Sequence, residues 1–429
     1  MTTFRNFLFI ALLIAAGCLS LCHTYQYHIS PGSGDQDREL YNFAATLHGE
    51  TPYQDYGWGH GPLMPYYYAL FMKFLGVNIG SVLLGKMVLT IVAGVFLALA
   101  LSFFVPSLLA FAAALWFWAY FPEFEFTYNH IGGIAMLMAV MHALLAYLKT
   151  GRMPYLYWGL LWIFTLAFIK INLGFSALAA FLIAVYWIDK DIHRPMNGQR
   201  RKFYLLGLIV LPALVLAVDL ALIQGLSLAE IRQCFPYLKS DHPCHKPLEK
   251  CFVLWVRDIF STLTSAWPHR LFGALVLVAL GYDISLFWKK KILPRLSRQI
   301  VLAVKILFLF YLFTLHEYLT SVVMDRIIWA KPFSMMLSFI LIGTAVRHIH
   351  KFIQLPVVAL LVFFAASHLH EQMDLLLVRK LPDQLDAPPR GQAILGGNPR
   401  QWINTVEQAP VMVDKRKTPD GPGTTARKS

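Results

Sequence analysis

Long apolar runs recur along this 429-residue chain, and they constrain its fold more than any other feature. Many of them are about 20 residues long, which is the length of helix that crosses a bilayer core of about 30 Å. The chain is 57% hydrophobic and only 14% charged, whereas soluble domains are typically about 25% charged. The runs therefore predict an all-α polytopic membrane protein.

Basic residues gather in short segments between the apolar runs, and these segments set the predicted topology. They lie at 149–152, 189–202, 289–298 and 347–351. Under the positive-inside rule such segments face the cytoplasm, and placing all of them there gives about 11 transmembrane helices. Because these segments account for the placement of the net charge of +13, we expect no nucleic-acid partner.

The predicted spans end where polar or helix-breaking residues interrupt the apolar runs. They lie at about 4–23, 81–104, 107–121, 130–148, two within 155–187, then 203–222, 269–288, 300–318, 327–346 and 353–369. The first is predicted to be an uncleaved membrane helix rather than a signal peptide. Residues 63–77 are interrupted by Pro65 and Lys73, and they predict an interfacial or re-entrant helix.

The spans define a transmembrane domain at 1–370, with a first outer loop at 24–80 and another large outer loop at 223–268. A short outer C-terminal segment, 371–429, follows, and its polar end is predicted to be disordered. Three cysteines fall in the second of these loops: Cys234, Cys244 and Cys251. One disulfide among them would suit an oxidising compartment, and the odd count leaves the pairing open.

The apolar block 155–187 is flanked by basic segments on both sides, so it must hold two crossings. Its 33 residues make about 50 Å of helix, whereas two crossings need about 60 Å. The apex of this hairpin, at Lys170 to Asn172, is therefore expected below the outer surface. A lysine at membrane depth is costly without a partner, which makes Lys170 a functional candidate.

Acidic and aromatic residues crowd the first outer loop. Its acids are Asp35, Asp37, Glu39, Glu50 and Asp55. Ionisable groups elsewhere lie mostly near the ends of the predicted helices, whereas transporters place theirs near the bilayer midplane. The pattern therefore indicates a site at the outer membrane surface.

One pattern in this loop is specific enough to compare with known families. It has three parts: Asp37-x-x-x-Tyr41-x-x-Ala44, then Gly49 with Pro52-Tyr53-x-Asp55, then His60-Gly61-Pro62-Leu63. It resembles the first outer loop of GT-C superfamily glycosyltransferases, in particular the bacterial branch related to protein mannosyltransferases and the aminoarabinose–lipid A transferase. The resemblance extends over the helix layout to about residue 190, and only in outline beyond it.

The resemblance implies transfer of a sugar from a polyprenyl-phosphate donor to an acceptor hydroxyl on a lipid, a glycan or a protein. The site would face outwards from a bacterial inner membrane, and the partners would be the lipid-linked donor, membrane lipids and an unknown acceptor. In this family a first-loop acid acts as general base or positions the acceptor. Asp37 is the first candidate and Asp35 the second, and one of them is expected to cap a helix beginning near Arg38.

Positive charge would stabilise the leaving lipid phosphate. Lys170, Arg326 and Lys331 are the candidates for this role. For Arg326 and Lys331 the alternative is snorkelling at the membrane interface beside Trp329.

The remaining substrate-binding candidates in the first loop are His60, Tyr41, Tyr53 and Asp55. In the next short outer loop, Glu123 and Glu125 would hold the acceptor, or else they are solvated loop acids. No cofactor is expected, and a divalent metal between these two glutamates is kept as an alternative, although oxygen sites usually need more ligands.

Two rival functions stay open. One is a non-enzymatic transporter of lipid or polysaccharide. The other is a catalytically silent family member with a structural role, against which the retained Asp37, Tyr41 and Pro52-Tyr53 weigh.

Overall fold

The computed structural model describes residues 2–22, 34–120, 128–191, 197–228, 231, 298–321 and 329–347. Within these ranges the chain is helical, and its one β-type pairing is an isolated bridge between Pro52 and Tyr56. The helices are α1 (Thr2–Cys22), α2 (Gly34–Leu47), α3 (Leu63–Leu75), α4 (Ile79–Leu101), α5 (Ser107–Tyr120), α6 (Tyr128–Thr150), α7 (Met153–Ile169), α8 (Ile171–Asp191), α9 (Gly198–Leu205), a π-helical segment (Leu206–Val210), α10 (Leu211–Leu222), α11 (Arg298–Ser321) and α12 (Lys331–Arg347).

Five of the described helical segments are long and apolar enough to cross a membrane: Gly80–Leu101, Asn129–Thr150, Ile171–Asp191, Gly198–Leu222 and Arg298–Leu315. The predicted all-α, multi-pass membrane class is confirmed at this level. The spans predicted at 269–288 and 353–369, the three loop cysteines and the C-terminal segment lie outside the described residues, so the total of about 11 spans stays a prediction.

Helix α6 forms the centre of the bundle, because nearly all of its apolar span is buried. Two of its glycines allow close approach: a Cβ on Gly132 would lie 2.7 Å from the Met64 sulfur, and one on Gly133 would lie 2.6 Å from the Trp329 ring. Small residues commonly bring membrane helices together in this way. The segment Gly198–Leu222 is mostly exposed instead, so it forms the periphery.

Helices α7 and α8 form the predicted hairpin. Lys170 is the single residue between them, and its backbone is extended, with φ −154° and ψ 105°. A Cβ on Gly159 would lie 2.4 Å from the Phe181 ring, and one on Gly174 would lie 2.5 Å from the Cα of Ala167. These contacts pair positions on either side of Lys170, so the two helices run antiparallel. The 17 residues of α7 span about 25 Å, less than a full crossing.

Described residues from three of the four basic segments expected inside lie together at the end of the bundle opposite the hairpin apex. Lys149, near the end of α6, donates to the Gln299 side chain at 3.3 Å. Arg298 pairs with Asp191, at the end of α8, at 2.7 Å. The ends of α6 and α8 and the start of α11 therefore lie together, as the predicted topology requires.

Candidate functional site

Helix α2 contains both acids that the sequence favours as catalytic residues. It runs over Gly34–Leu47, so Arg38 lies inside it and the cap expected just before Arg38 is absent. Asp35 and Asp37 lie in the first turn instead, where free N–H groups and the helix dipole favour carboxylates. Position 37 is one turn before Tyr41, so these two positions share a helix face. The catalytic roles of Asp35 and Asp37 stay predictions.

The segment between α2 and α3 folds into a compact loop shaped by its own side chains. Tyr53 has φ +74°, which is uncommon for a bulky residue, and its N–H donates to the Tyr56 carbonyl at 3.0 Å. The Tyr53 hydroxyl donates to the carbonyl of His60, and the Asp55 carboxylate accepts from the Thr51 N–H at 2.7 Å. Tyr53 is buried and Asp55 is exposed, so both help to shape the loop, and their substrate contacts stay predictions.

Aromatic side chains hold this loop against α2 and α3. Phe43 of α2 stacks on Tyr68 of α3, with centroids 4.6 Å apart, and meets Trp58 edge-on at 6.2 Å. The His60 ring lies edge-on to Trp58 at 5.5 Å. The predicted ligands therefore belong to an ordered loop rather than to a loose connection.

A buried hydrogen bond joins the loop to α2. The hydroxyls of Thr46 and Tyr56 lie 2.6 Å apart. Burial raises the pKa of the Tyr56 hydroxyl above its ordinary value, so this phenol stays neutral around pH 7.

The loop docks directly on the apex of the α7–α8 hairpin. The N–H of Gly61 donates to the Ile169 carbonyl at 3.0 Å, and the Trp58 indole N–H donates to the Gly61 carbonyl at 2.8 Å. A Cβ on Gly61 would lie only 2.2 Å from the Phe168 carbonyl oxygen. Glycine is therefore required here by close backbone contact, and the first loop ends up one residue away from Lys170.

Lys170 forms a buried ion pair with Glu317 of α11. Its ammonium donates to Glu317 Oε2 at 2.6 Å, and the Asn172 amide donates to Glu317 Oε1 at 2.5 Å. Lys170 and Glu317 are 4% and 1% exposed. The ammonium also lies 5.1 Å from the centre of the Trp329 ring. The lysine thus has the partner that its burial demands, and a phosphate at this position would compete with Glu317.

Trp329 extends this cluster into the core of the bundle. It is fully buried, and its ring lies 4.9 Å from that of His130, whose Nδ1 is 2.8 Å from Asn129 Oδ1. Trp329 is therefore an interior residue and not an interfacial one. Lys331, two residues later, begins α12 and is half-buried. Its phosphate contact stays a prediction, and Arg326 lies outside the described residues.

Sequence reasoning did not select several residues that the structure gathers here: Glu317, Asn129, His130 and Trp329. Glu317 had one usable signal, because it is an acid near the outer end of an apolar span, level with an expected buried lysine. The aromatic and amide members had none, since ordinary core packing explains such residues equally well.

Glu123 and Glu125 lie outside the described residues, so their roles stay predictions. Within the part of the chain that the structure describes, no group of three or more His, Cys, Asp or Glu residues could hold a metal ion.

Comparison with models of protein families gives no match for this chain, and a search of curated proteins finds no relative. The fold supports the class of all-α, multi-pass membrane protein. Assignment to a particular family rests on the loop pattern and is a proposal.

Proposed function

We propose that this protein is a GT-C type glycosyltransferase that moves a sugar from a polyprenyl-phosphate donor to an acceptor hydroxyl at the outer face of a bacterial inner membrane. One observation supports it most. The loop that follows the acid-bearing helix α2 docks through Gly61 on Ile169, next to the buried Lys170. The loop that contains His60 and Gly61 therefore contacts the segment that contains the candidate cation, whereas the candidate base lies near the start of α2, ten residues before that helix ends.

The proposed reaction needs a proton acceptor and a stabilised leaving group. The carboxylate of Asp37, or of Asp35, takes the proton of the acceptor hydroxyl while the oxygen attacks the anomeric carbon. The bond from that carbon to the phosphate breaks, and the lipid phosphate leaves with the bonding electrons. Cationic side chains stabilise the charge that develops on it, with Lys170, Lys331 and Arg326 as candidates.

The decisive variant is Asp37→Asn, which keeps the size of the side chain and removes the base. General-base catalysis contributes about 10²–10⁴-fold, so product should fall by at least about 100-fold while expression and membrane insertion stay normal. Glu50→Gln is the matched control, because Glu50 lies three residues after the end of α2 and has no assigned role. It should retain transfer.

Mass spectrometry of envelope glycolipids and glycans can supply the readout. A bacterial strain that lacks the gene is complemented with wild type, Asp37→Asn, Asp35→Asn or Glu50→Gln. Full restoration by both aspartate variants would refute a first-loop base. An unchanged glycan profile in the deletion strain would count against the glycosyltransferase as a whole.

A transporter is the second candidate, and one observation favours it. The Lys170–Glu317 pair is buried beside a break between two apolar helices, and transporters build their substrate sites at such breaks. Reconstitution in liposomes separates the two functions. Movement of a lipid-linked sugar across the bilayer, without transfer to any acceptor, would favour the transporter.

A further inference from the structure

The buried ion pair at the hairpin apex has the form of an anion site already occupied by a carboxylate. Lys170 and Asn172 each donate to one oxygen of Glu317, at 2.6 Å and 2.5 Å. The Asn172 side-chain oxygen accepts from the Leu173 N–H at 3.0 Å, which directs the amide N–H₂ towards the glutamate. Two oriented donors from one short segment therefore converge on two oxygens of one anion.

The anion and its donors come from different parts of the chain. The donors belong to the apex between α7 and α8, whereas the carboxylate belongs to α11. The two donors therefore belong to one segment and would face another anion together if the Glu317 side chain moved away. Trp329 lies within cation–π distance of the ammonium, and such a contact stabilises a cation in a desolvated site.

One of the two donors lies at the surface of the bundle. Lys170 and Glu317 are buried, but Asn172 is exposed although it donates to the same carboxylate. Stability alone is a poor reason for the pair, because well-packed apolar residues often replace a buried ion pair without loss. Ionisable residues at membrane depth usually have a function.

We infer that Glu317 is a displaceable counter-ion, and that the phosphate of the lipid-linked donor takes its place on Lys170 and Asn172. This inference rests on the proposed function, which supplies the lipid phosphate. Glu317 is then a positioning residue: it holds the lysine in place in the empty protein and competes with the phosphate for it.

Binding of polyprenyl phosphate tests this directly, with neutral polyprenol of the same chain length as the reference ligand. Native mass spectrometry of the purified full-length protein in nanodiscs gives the ratio of the two affinities. Wild type should prefer the phosphate. Glu317→Gln removes the competing charge, so the preference should rise about tenfold, equivalent to about 1.4 kcal/mol. Lys170→Met should abolish it.

Two further variants separate this role from a purely structural one. Lys170→Met/Glu317→Leu leaves no unpaired charge, so it should fold even if Lys170→Met does not, and it should show no preference for the phosphate. Asp189→Asn is the matched control, since Asp189 accepts from Tyr147 at 2.6 Å and pairs with Arg200 at 3.3 Å at the opposite end. It should lower stability and leave the preference unchanged.

Three results would overturn the inference: equal binding of both lipids by wild type, an unchanged or lower preference in Glu317→Gln, or a wild-type preference in the double variant. None of them affects the proposed function, which is judged by the transfer assay on Asp37. Conversely, the anion site can stand if that assay shows no sugar transfer.

Discussion

The contact between the first loop and the hairpin apex predicts a large effect for Gly61→Ala. The added Cβ would lie 2.2 Å from the Phe168 carbonyl oxygen and 2.3 Å from its carbonyl carbon. Because both atoms belong to the backbone, the side chain of a neighbour cannot move aside to make room. The loop must lift, and the hydrogen bond from Gly61 to Ile169 is lost with it.

The size of the effect follows from these two changes. Overpacking in a closed contact costs about 1–3 kcal/mol, and loss of a buried hydrogen bond adds about 1 kcal/mol. We therefore expect Gly61→Ala to lower the free energy of unfolding by about 2–4 kcal/mol, or to detach the loop at a similar cost. Thermal unfolding in nanodiscs measures the first outcome, and hydrogen exchange of the segment 48–62 measures the second.

Gly57→Ala is the matched control in the same loop. A Cβ on Gly57 would meet no atom within 4 Å, so its effect should stay within about 0.5 kcal/mol. If Gly61→Ala matched Gly57→Ala both in melting temperature and in hydrogen exchange, the loop would not be docked on the hairpin in the way described.

Two further substitutions test the packing around the site. Tyr56→Phe removes the hydrogen bond to Thr46, so it should lower the free energy of unfolding by about 1 kcal/mol, measured by thermal unfolding. Burial raises the pKa of Tyr56. The difference in stability between wild type and Tyr56→Phe should therefore be full below the ordinary tyrosine pKa of about 10 and should shrink as the pH rises beyond it. Gly133→Ala would place a Cβ 2.6 Å from the buried Trp329 ring, so it should lower the free energy of unfolding by about 1–3 kcal/mol. Gly132→Ala should cost less, because the nearest atom to its Cβ is the sulfur of the flexible Met64 side chain. Equal melting temperatures for the two alanine variants would contradict this.

The sequence was sufficient for the helices wherever an apolar run ends sharply. The span predicted at 107–121 is Ser107–Tyr120, and that predicted at 130–148 is Tyr128–Thr150. The hairpin apex was also predictable, because 33 residues are too few for two crossings. The start of α2 was not, since acids are favoured both as caps and within the first turn, and no other residue there marks the boundary.

Contacts between residues on distant helices could not be predicted from the sequence. Glu317 lies 147 residues from Lys170, and only the packing of α11 against α8 brings them together. The same is true of Gly61 and Ile169, because a glycine in a loop predicts a turn as readily as a close contact. A single sequence indicates that Lys170 needs a partner, but which acid supplies it depends on the three-dimensional packing.

The loop between α2 and α3 contacts the hairpin apex directly beside the buried ion pair. Lys170 is buried next to the contact of Gly61 with Ile169, and a low local dielectric strengthens a charged contact. A lipid phosphate that replaced Glu317 would gain from the same low dielectric. Exchange of the two anions, however, requires a path past the loop or past the exposed Asn172. The loop between α2 and α3 therefore contacts the hairpin directly beside the residue proposed to bind the donor phosphate.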